Sequence, residues 1–201
     1  MSSMSKYDQA GSNLFTTQDK AIDELLKNTH GESQPYPHQT TVIKKSIETG
    51  NTLICLPSGT GKTFISLLLV KYYLMRKMKS PNEQSKFLAF FLGPKRTKLK
   101  QKFEILKQMN GLQVIIDAGN NNDVSKYIEK YEVIITTPQK LLNSLVSNAI
   151  SNKNIDVIIF DQCHDAVGDN PYCQIMKLLS NKDEKQPVII GLTDTISKHK
   201  D

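Results

Sequence analysis

The chain has 201 residues, 38% of them hydrophobic, which is enough for one domain with a sizeable core and too few for two. Its 26 basic and 20 acidic side chains leave a formal charge of +6, which suggests a polyanionic partner. No apolar run approaches the ~20 residues of a membrane span, and the opening MSSMSKYDQAGSN has no signal-peptide core. The expectation is a soluble cytoplasmic protein with no membrane partner. Residues 1–34 read as a polar tail with a leading helix, and 35–201 as the folded domain. Cys55, Cys163 and Cys173 form no C-x-x-C pair, so reduced thiols are expected.

Six short apolar runs follow in chain order: NTLICL (51–56), KFLAFFL (86–92), LQVIID (112–117), YEVIITT (131–137), IDVIIFD (155–161) and QPVIIGL (186–192). They are rich in β-branched and aromatic residues and lack alternation of polar positions, as strands buried on both faces do. Helix-length segments separate them. Residues 63–78 are apolar almost all round, Leu99, Phe103 and Leu106 make one stripe, and Leu141, Leu142 and Leu145 make another. Residues 80–85, 120–123 and 180–185 read as surface loops. Strands alternating with helices predict an α/β fold, a doubly wound parallel sheet with helices on both faces in a single domain. In such folds ligands collect at the carboxyl ends of the strands.

The first strand is followed by Pro57, Ser58, Gly59, Thr60, Gly61, Lys62 and Thr63, and then by a helix. Glycines there let backbone N–H groups turn toward phosphate oxygens, with the helix N-terminus adding partial positive charge. Lys62 is placed to reach the β and γ phosphates, and the Thr63 hydroxyl to ligate magnesium. The full phosphate-loop pattern begins with a glycine where Leu56 stands. A second element of such a site is an acidic residue at another strand end that holds magnesium through water, and Asp161 closes its strand in that way. Between Lys71 and Lys107 eleven basic residues face two acidic ones, more than the excess of the whole chain. For any single lysine there, a solvated helix face is the plain expectation.

The ordered series PHQTTVIKKSIETGNTLICLPSGTGKT, FFLGPKRTKLKQ, VIITTPQKLLNSL, IDVIIFDQCHDAVGDNPYCQIMK and VIIGLTDT resembles the first RecA-like domain of the superfamily-two DExH-box RNA helicases of Dicer and the cytosolic viral-RNA sensors, most of all Dicer. The resemblance spans about residues 35–195, and it accounts for Leu56, since that superfamily does not keep the first glycine. It implies ATP and Mg2+ as cofactors, Gln39 at the adenine edge, and Leu56 to Thr63 around the phosphates. It implies Asp161, Gln162 and His164 as the catalytic box, and Thr193 and Thr195 as the link between nucleotide and RNA. Lys95, Arg96, Thr137, Pro138 and Gln139 would lie along the backbone of double-stranded RNA, which is recognised by shape and phosphates.

Three positions depart from that pattern. Gln162 stands in place of the catalytic glutamate, Asp165 in place of a second histidine, and Asp194 where a small residue is usual. Three departures in one cluster read as natural drift of a paralogue or truncated gene product rather than a single inactivating change. The resemblance further implies a second RecA-like domain, in cis or trans, supplying arginines to the transferred phosphoryl group. The expectation is therefore an ATP- and RNA-binding helicase domain deficient in hydrolysis. The alternative is a non-catalytic Dicer-like fragment that holds double-stranded RNA or a partner as a decoy. An unrelated phosphate-loop enzyme such as a nucleotide kinase has only the loop and Asp161 to support it.

Overall fold

The computed structural model describes residues 22, 24–25, 34–80, 85–94, 96–107, 112–117, 124–180 and 185–195. The elements run α1 (Pro37–Thr49), β1 (Thr52–Cys55), α2 (Lys62–Met78), β2 (Ala89–Leu92), α3 (Arg96–Lys107), β3 (Val114–Ile116), β4 (Val133–Thr136), α4 (Pro138–Val146), β5 (Val157–Asp161), α5 (Pro171–Leu179) and β6 (Val188–Thr193). Five strands fall inside the apolar runs, and β6 overruns its run by one residue, Thr193. Every pairing is parallel, in the order β1-β6-β5-β2-β4-β3.

Alternate residues of each central strand serve different cores. Ala89, Phe91, Val133, Ile135, Val157 and Ile159 pack with Ile43 and Ile47 of α1, Ile65 and Leu68 of α2 and Leu99 of α3. Phe90, Leu92, Ile134, Ile158 and Phe160 pack with Leu141 and Leu145 of α4 and Tyr172 and Ile175 of α5. This division follows from chain path. The run from β1 to β2 to β3 moves one way across the sheet, and the run from β4 to β5 to β6 moves back. Right-handed crossovers then put the helices of the two runs on opposite faces. With helices on both sides, central strands need apolar residues at every position.

The edges depart from that expectation. β1 has one covered face, with Ile54 buried and Leu53 59% exposed, and β3 is only half-buried. A position at the sheet edge is decided by strand order, which the local run does not encode. Helix α1 was not among the sequence expectations. It is signalled by Pro37 at its first position and by Ile43 and Ile47 four residues apart on the buried face. Ile22 and Leu25, both helical, are buried in the same core, and Glu24 pairs with Lys79 at 2.6 Å. The predicted loops at 120–123, and at 81–84 and 181–184 within the other two, lie outside the described residues. No helix among the described residues is long and apolar enough to cross a membrane.

Two lysines of the basic segment are not on solvated faces. Lys77 is buried with Asp156 at 2.7 Å, and Lys102 is 17% exposed with Asp161 at 3.0 Å. Lys79, Lys86, Lys98, Lys100 and Lys107 do face solvent.

Candidate nucleotide-binding site

Because β1, β6 and β5 are neighbours, the segments leaving their carboxyl ends share one rim. Residues 56–63 leave β1, Thr193 to Thr195 close β6, and Asp161 to Asp165 close β5. A cleft of about 350 Å3 opens between them, lined in part by Gly59, Lys62, Thr63, Asp161, Gln162 and Asp194.

The loop after β1 turns at Gly59 (φ 82°) and Gly61 (φ 88°), left-handed conformations that favour glycine. A Cβ at Gly61 would also collide with the Gln39 amide. Helix α2 then starts with no side-chain cap, so its first N–H groups stay available to an anion. Lys62 curls over the loop, its ammonium donating to the carbonyls of Leu56 at 2.6 Å and Pro57 at 3.0 Å. The Thr60 hydroxyl donates to the Pro57 carbonyl at 2.7 Å. Buried Gln39 locks α1 to the loop: its Nε2 donates to the Thr60 carbonyl at 3.0 Å and its Oε1 accepts from the Tyr36 N–H at 3.0 Å.

At the end of β5, Asp161 is 6% exposed. The Tyr172 hydroxyl fixes the backbone there, donating to the carbonyls of Asp161 at 2.7 Å and Leu92 at 3.3 Å. Burial pushes the Tyr172 phenol far above its ordinary range, so it remains a donor. Gln162 follows in the left-handed region (φ 57°, ψ 46°), a conformation costing a non-glycine residue about 1–2 kcal/mol. That turn sends the chain sharply off the strand into the short helix of Cys163 to Asp165. Burial raises the Cys163 thiol, which keeps it protonated and a poor nucleophile.

His164 links two strand ends. Its Nδ1 lies 2.7 Å from the Thr193 hydroxyl, which donates its own hydrogen to the Thr195 carbonyl at 2.6 Å. Nδ1 is therefore the donor to Thr193. Asp165 Oδ1 is 3.6 Å from Nε2, and Asp194 Oδ1 is 3.8 Å from Nδ1. Asp194 also accepts from the Ser58 hydroxyl at 2.8 Å, which holds its carboxyl below the usual range and closes β6 onto the phosphate loop.

Thr63 Oγ1 and Asp161 Oδ2 converge on one point. The Lys102 ammonium sits there, 2.9 Å from the first and 3.0 Å from the second, and 5.2 Å from the Phe91 ring centroid. Two hard oxygens around one cationic point form a donor set that fits magnesium. No group of three or more His, Cys, Asp or Glu residues among the described residues could hold a metal unaided. Lys102 was legible only as part of a basic run. Its signal was position, since it lies three residues after Leu99 and so shares that helix face with the apolar stripe.

The second predicted cluster lies farther along the same rim, after β2 and β4, which are neighbours. Thr137 and buried Pro138 open α4, and exposed Gln139 donates to Asn143 at 2.9 Å. Lys95 and the Arg96 side chain are outside the described residues, as is everything beyond Thr195.

Residues 36–201 match the family of DEAD/DEAH box helicases. The human antiviral innate immune response receptor RIG-I is 31% identical over 84% of this chain and 19% of its own length. Endoribonuclease Dicer homolog 2 of Arabidopsis thaliana is 32% identical over 81% and 12%, and Endoribonuclease Dicer of Xenopus tropicalis is 30% identical over 81% and 9%. The chain thus spans less than a fifth of each of these relatives. The crystal structure of the Pyrococcus furiosus Hef helicase domain superposes with a TM-score of 0.68 at 28% identity, over 82% of this chain and 33% of that one. With its six-stranded parallel sheet and the phosphate loop and DQCH box on one rim, the chain belongs to the DEAD/DEAH box helicase family and carries a RecA-like helicase domain related to those of Dicer and RIG-I.

Proposed function

We propose that residues 35–201 form the ATP- and RNA-binding first domain of a Dicer-like helicase, acting in the cytoplasm with a second RecA-like domain in cis or trans. The supporting observation is the convergence of the phosphate loop, Asp161 and the Thr193 to Thr195 segment around one cleft. The phosphates would lie on the unpaired N–H groups at the start of α2, with Lys62 released from the Leu56 and Pro57 carbonyls to meet them. Gln39 spends one donor and one acceptor on the protein, which leaves one of each for an adenine edge. Thr63 and, through water, Asp161 would hold magnesium, whose chemistry is to neutralise charge on the β and γ oxygens. Gln162 cannot accept a proton from water, so this reading includes deficient hydrolysis.

Nucleotide binding is tested by calorimetry with magnesium ATP. Lys62→Ala is expected to weaken binding at least about tenfold, the scale of one hydrogen-bonded charge on phosphate. Equal affinities would refute the site.

RNA would track the rim from Arg96 to Gln139, contacting phosphates of a double strand. Affinity is then expected to fall steeply as salt rises, since each neutralised phosphate releases counterions, with a slope of about −0.9 per contact by the double-helical DNA rule. A filter-binding titration that shows no change between low and physiological salt sinks this assignment.

A second reading, a decoy that holds RNA or a partner without turnover, draws on Asp194. Its carboxylate lines the phosphate cleft and is latched to Ser58, where it opposes a triphosphate. RNA affinity indifferent to nucleotide favours the decoy.

A further inference from the structure

At the pole of the sheet opposite the nucleotide cleft, a second cavity of about 260 Å3 opens between the C-terminal end of α2 and the entries of β5 and β6. Tyr73, Arg76 and Lys77 line it from one face of α2, and Ser80 follows the helix end. Asp156 and Lys185 line it from the strand side. Three positive charges therefore meet one carboxylate. That carboxylate is already engaged by Lys77, Lys185 and the Leu88 N–H.

The donors set this cavity apart from an ordinary basic surface. Tyr73 is 9% exposed and packs edge-on to Tyr72 at 5.3 Å, yet its hydroxyl has no hydrogen-bond partner among the described residues. Burial pushes the phenol up to about 12, so it stays protonated at neutral pH and can donate. The Arg76 guanidinium and the Ser80 hydroxyl likewise make no hydrogen bond or ion pair among the described residues. Lys77, 7% exposed, spends two of its three N–H groups on Asp156 and the Lys86 carbonyl. Basic side chains in the last turn of a helix ordinarily answer its dipole. That accounts for Arg76 and Lys77, and for neither the Tyr73 hydroxyl nor Lys185 on a separate segment. Buried polar groups are normally paired, so unspent donors around one cavity mark the place of an acceptor.

We propose that this cavity binds a phosphate group, as the free ion or as a monoester, at a site separate from the nucleotide cleft. Its volume lies below the ~300–1,000 Å3 of pockets for drug-sized ligands, so it takes one small group and not a nucleotide. A phosphomonoester presents three acceptor oxygens in a pyramid, where a carboxylate presents two in a plane. The Arg76 fork suits two of those oxygens in parallel, and Tyr73, Ser80 and the third Lys77 N–H supply donors for the rest.

The test is an NMR titration of the 201-residue chain without magnesium, following amide shifts with inorganic phosphate and, separately, with O-phosphoserine. The amides of Lys77, Ser80 and Gln186 are expected to shift saturably, while those of Gly59 and Gly61 report binding in the nucleotide cleft independently. Tyr73→Phe removes the hydroxyl and keeps the ring, and Arg76→Gln changes an exposed position. Each is expected to raise the half-saturating concentration at the cavity about tenfold, the scale of one charge-assisted hydrogen bond, and to leave the Gly59 and Gly61 response unchanged. Saturation by inorganic phosphate alone supports the free ion as ligand, and saturation by O-phosphoserine at equal or lower concentration supports a monoester. No saturable shift at the cavity with either probe overturns the proposal. So does binding that both variants retain in full, or binding that acetate or a polyglutamate peptide matches.

Discussion

Given magnesium ATP with or without double-stranded RNA, the 201-residue chain is expected to show no turnover above background, and Gln162→Glu is expected to leave it there. On the proposed reading two deficits would act together. The first, on that reading, is at Gln162, which follows β5 in a left-handed turn and would stand where the resembling helicases place a glutamate base. A neutral amide does not take a proton from the attacking water, and loss of a positioned general base costs about 10²–10⁴ in rate. The second lies outside the RecA-like domain. In phosphoryl transfer an arginine on the transferred phosphoryl group is worth about 10³–10⁵, and on the proposed reading it would come from a second RecA-like domain. Restoring the glutamate repairs the smaller deficit only.

The local geometry adds a further obstacle that a single change does not remove. Asp194 stays ionised through its Ser58 hydrogen bond and lines the cleft where negative charge would develop. The losses need not multiply, because groups that act as a unit are not additive. The measurement is steady-state phosphate release. RNA-stimulated turnover near ~1 s⁻¹ for Gln162→Glu alone, the low end of ordinary enzymes, contradicts the two-deficit account. Recovery of Gln162→Glu only after a Dicer second domain is added in trans supports both deficits at once.

What could be read from the sequence was whatever a local run encodes. Strands covered on both faces require continuous apolar stretches, so Phe90, Ile134 and Ile158 announced β2, β4 and β5. The phosphate loop was legible because its conformation needs Gly59 and Gly61 at fixed positions before a helix. The features that were missed join distant segments. Ser58 and Asp194 are 136 residues apart and meet only because β1 and β6 are neighbours. Lys102 reaches Asp161 because β2 and β5 pair, which places the start of α3 over the end of β5. Leu53 is exposed because β1 is an edge. Strand order governs all three, and it emerges from crossover handedness and the full set of packed helices rather than from any window of residues.

A large loss of stability is expected from Asp156→Ala, at the end of the sheet away from the cleft. Asp156 precedes β5 and is 10% exposed. One carboxylate oxygen accepts from Lys77 at 2.7 Å and from the Leu88 N–H at 2.9 Å, and the other from Lys185 at 3.1 Å. Lys77 is 7% exposed and donates to the Lys86 carbonyl at 2.9 Å, so the cluster ties the end of α2 to the entry of β2 and β5. Truncation to alanine removes the carboxylate from a buried ammonium and the acceptor from an inward N–H. Breaking a buried pair from one side costs about 3–5 kcal/mol. In a domain of this size that lowers the melting temperature by about 6–20 °C. Asp156→Asn keeps a carbonyl acceptor and should lose less. Replacing both partners, Asp156→Ala with Lys77→Met, should recover part of the loss, because no unpaired charge remains inside. Five residues of strand, about 16 Å, separate this cluster from Asp161, so ATPγS affinity measured well below the melting point should not change. A melting temperature within about 2 °C of wild type for Asp156→Ala, less than the shift expected from 1 kcal/mol, would mean that the ion pair contributes nothing net. Weakened ATPγS binding with unchanged melting would instead place this cluster in contact with the nucleotide site through the sheet.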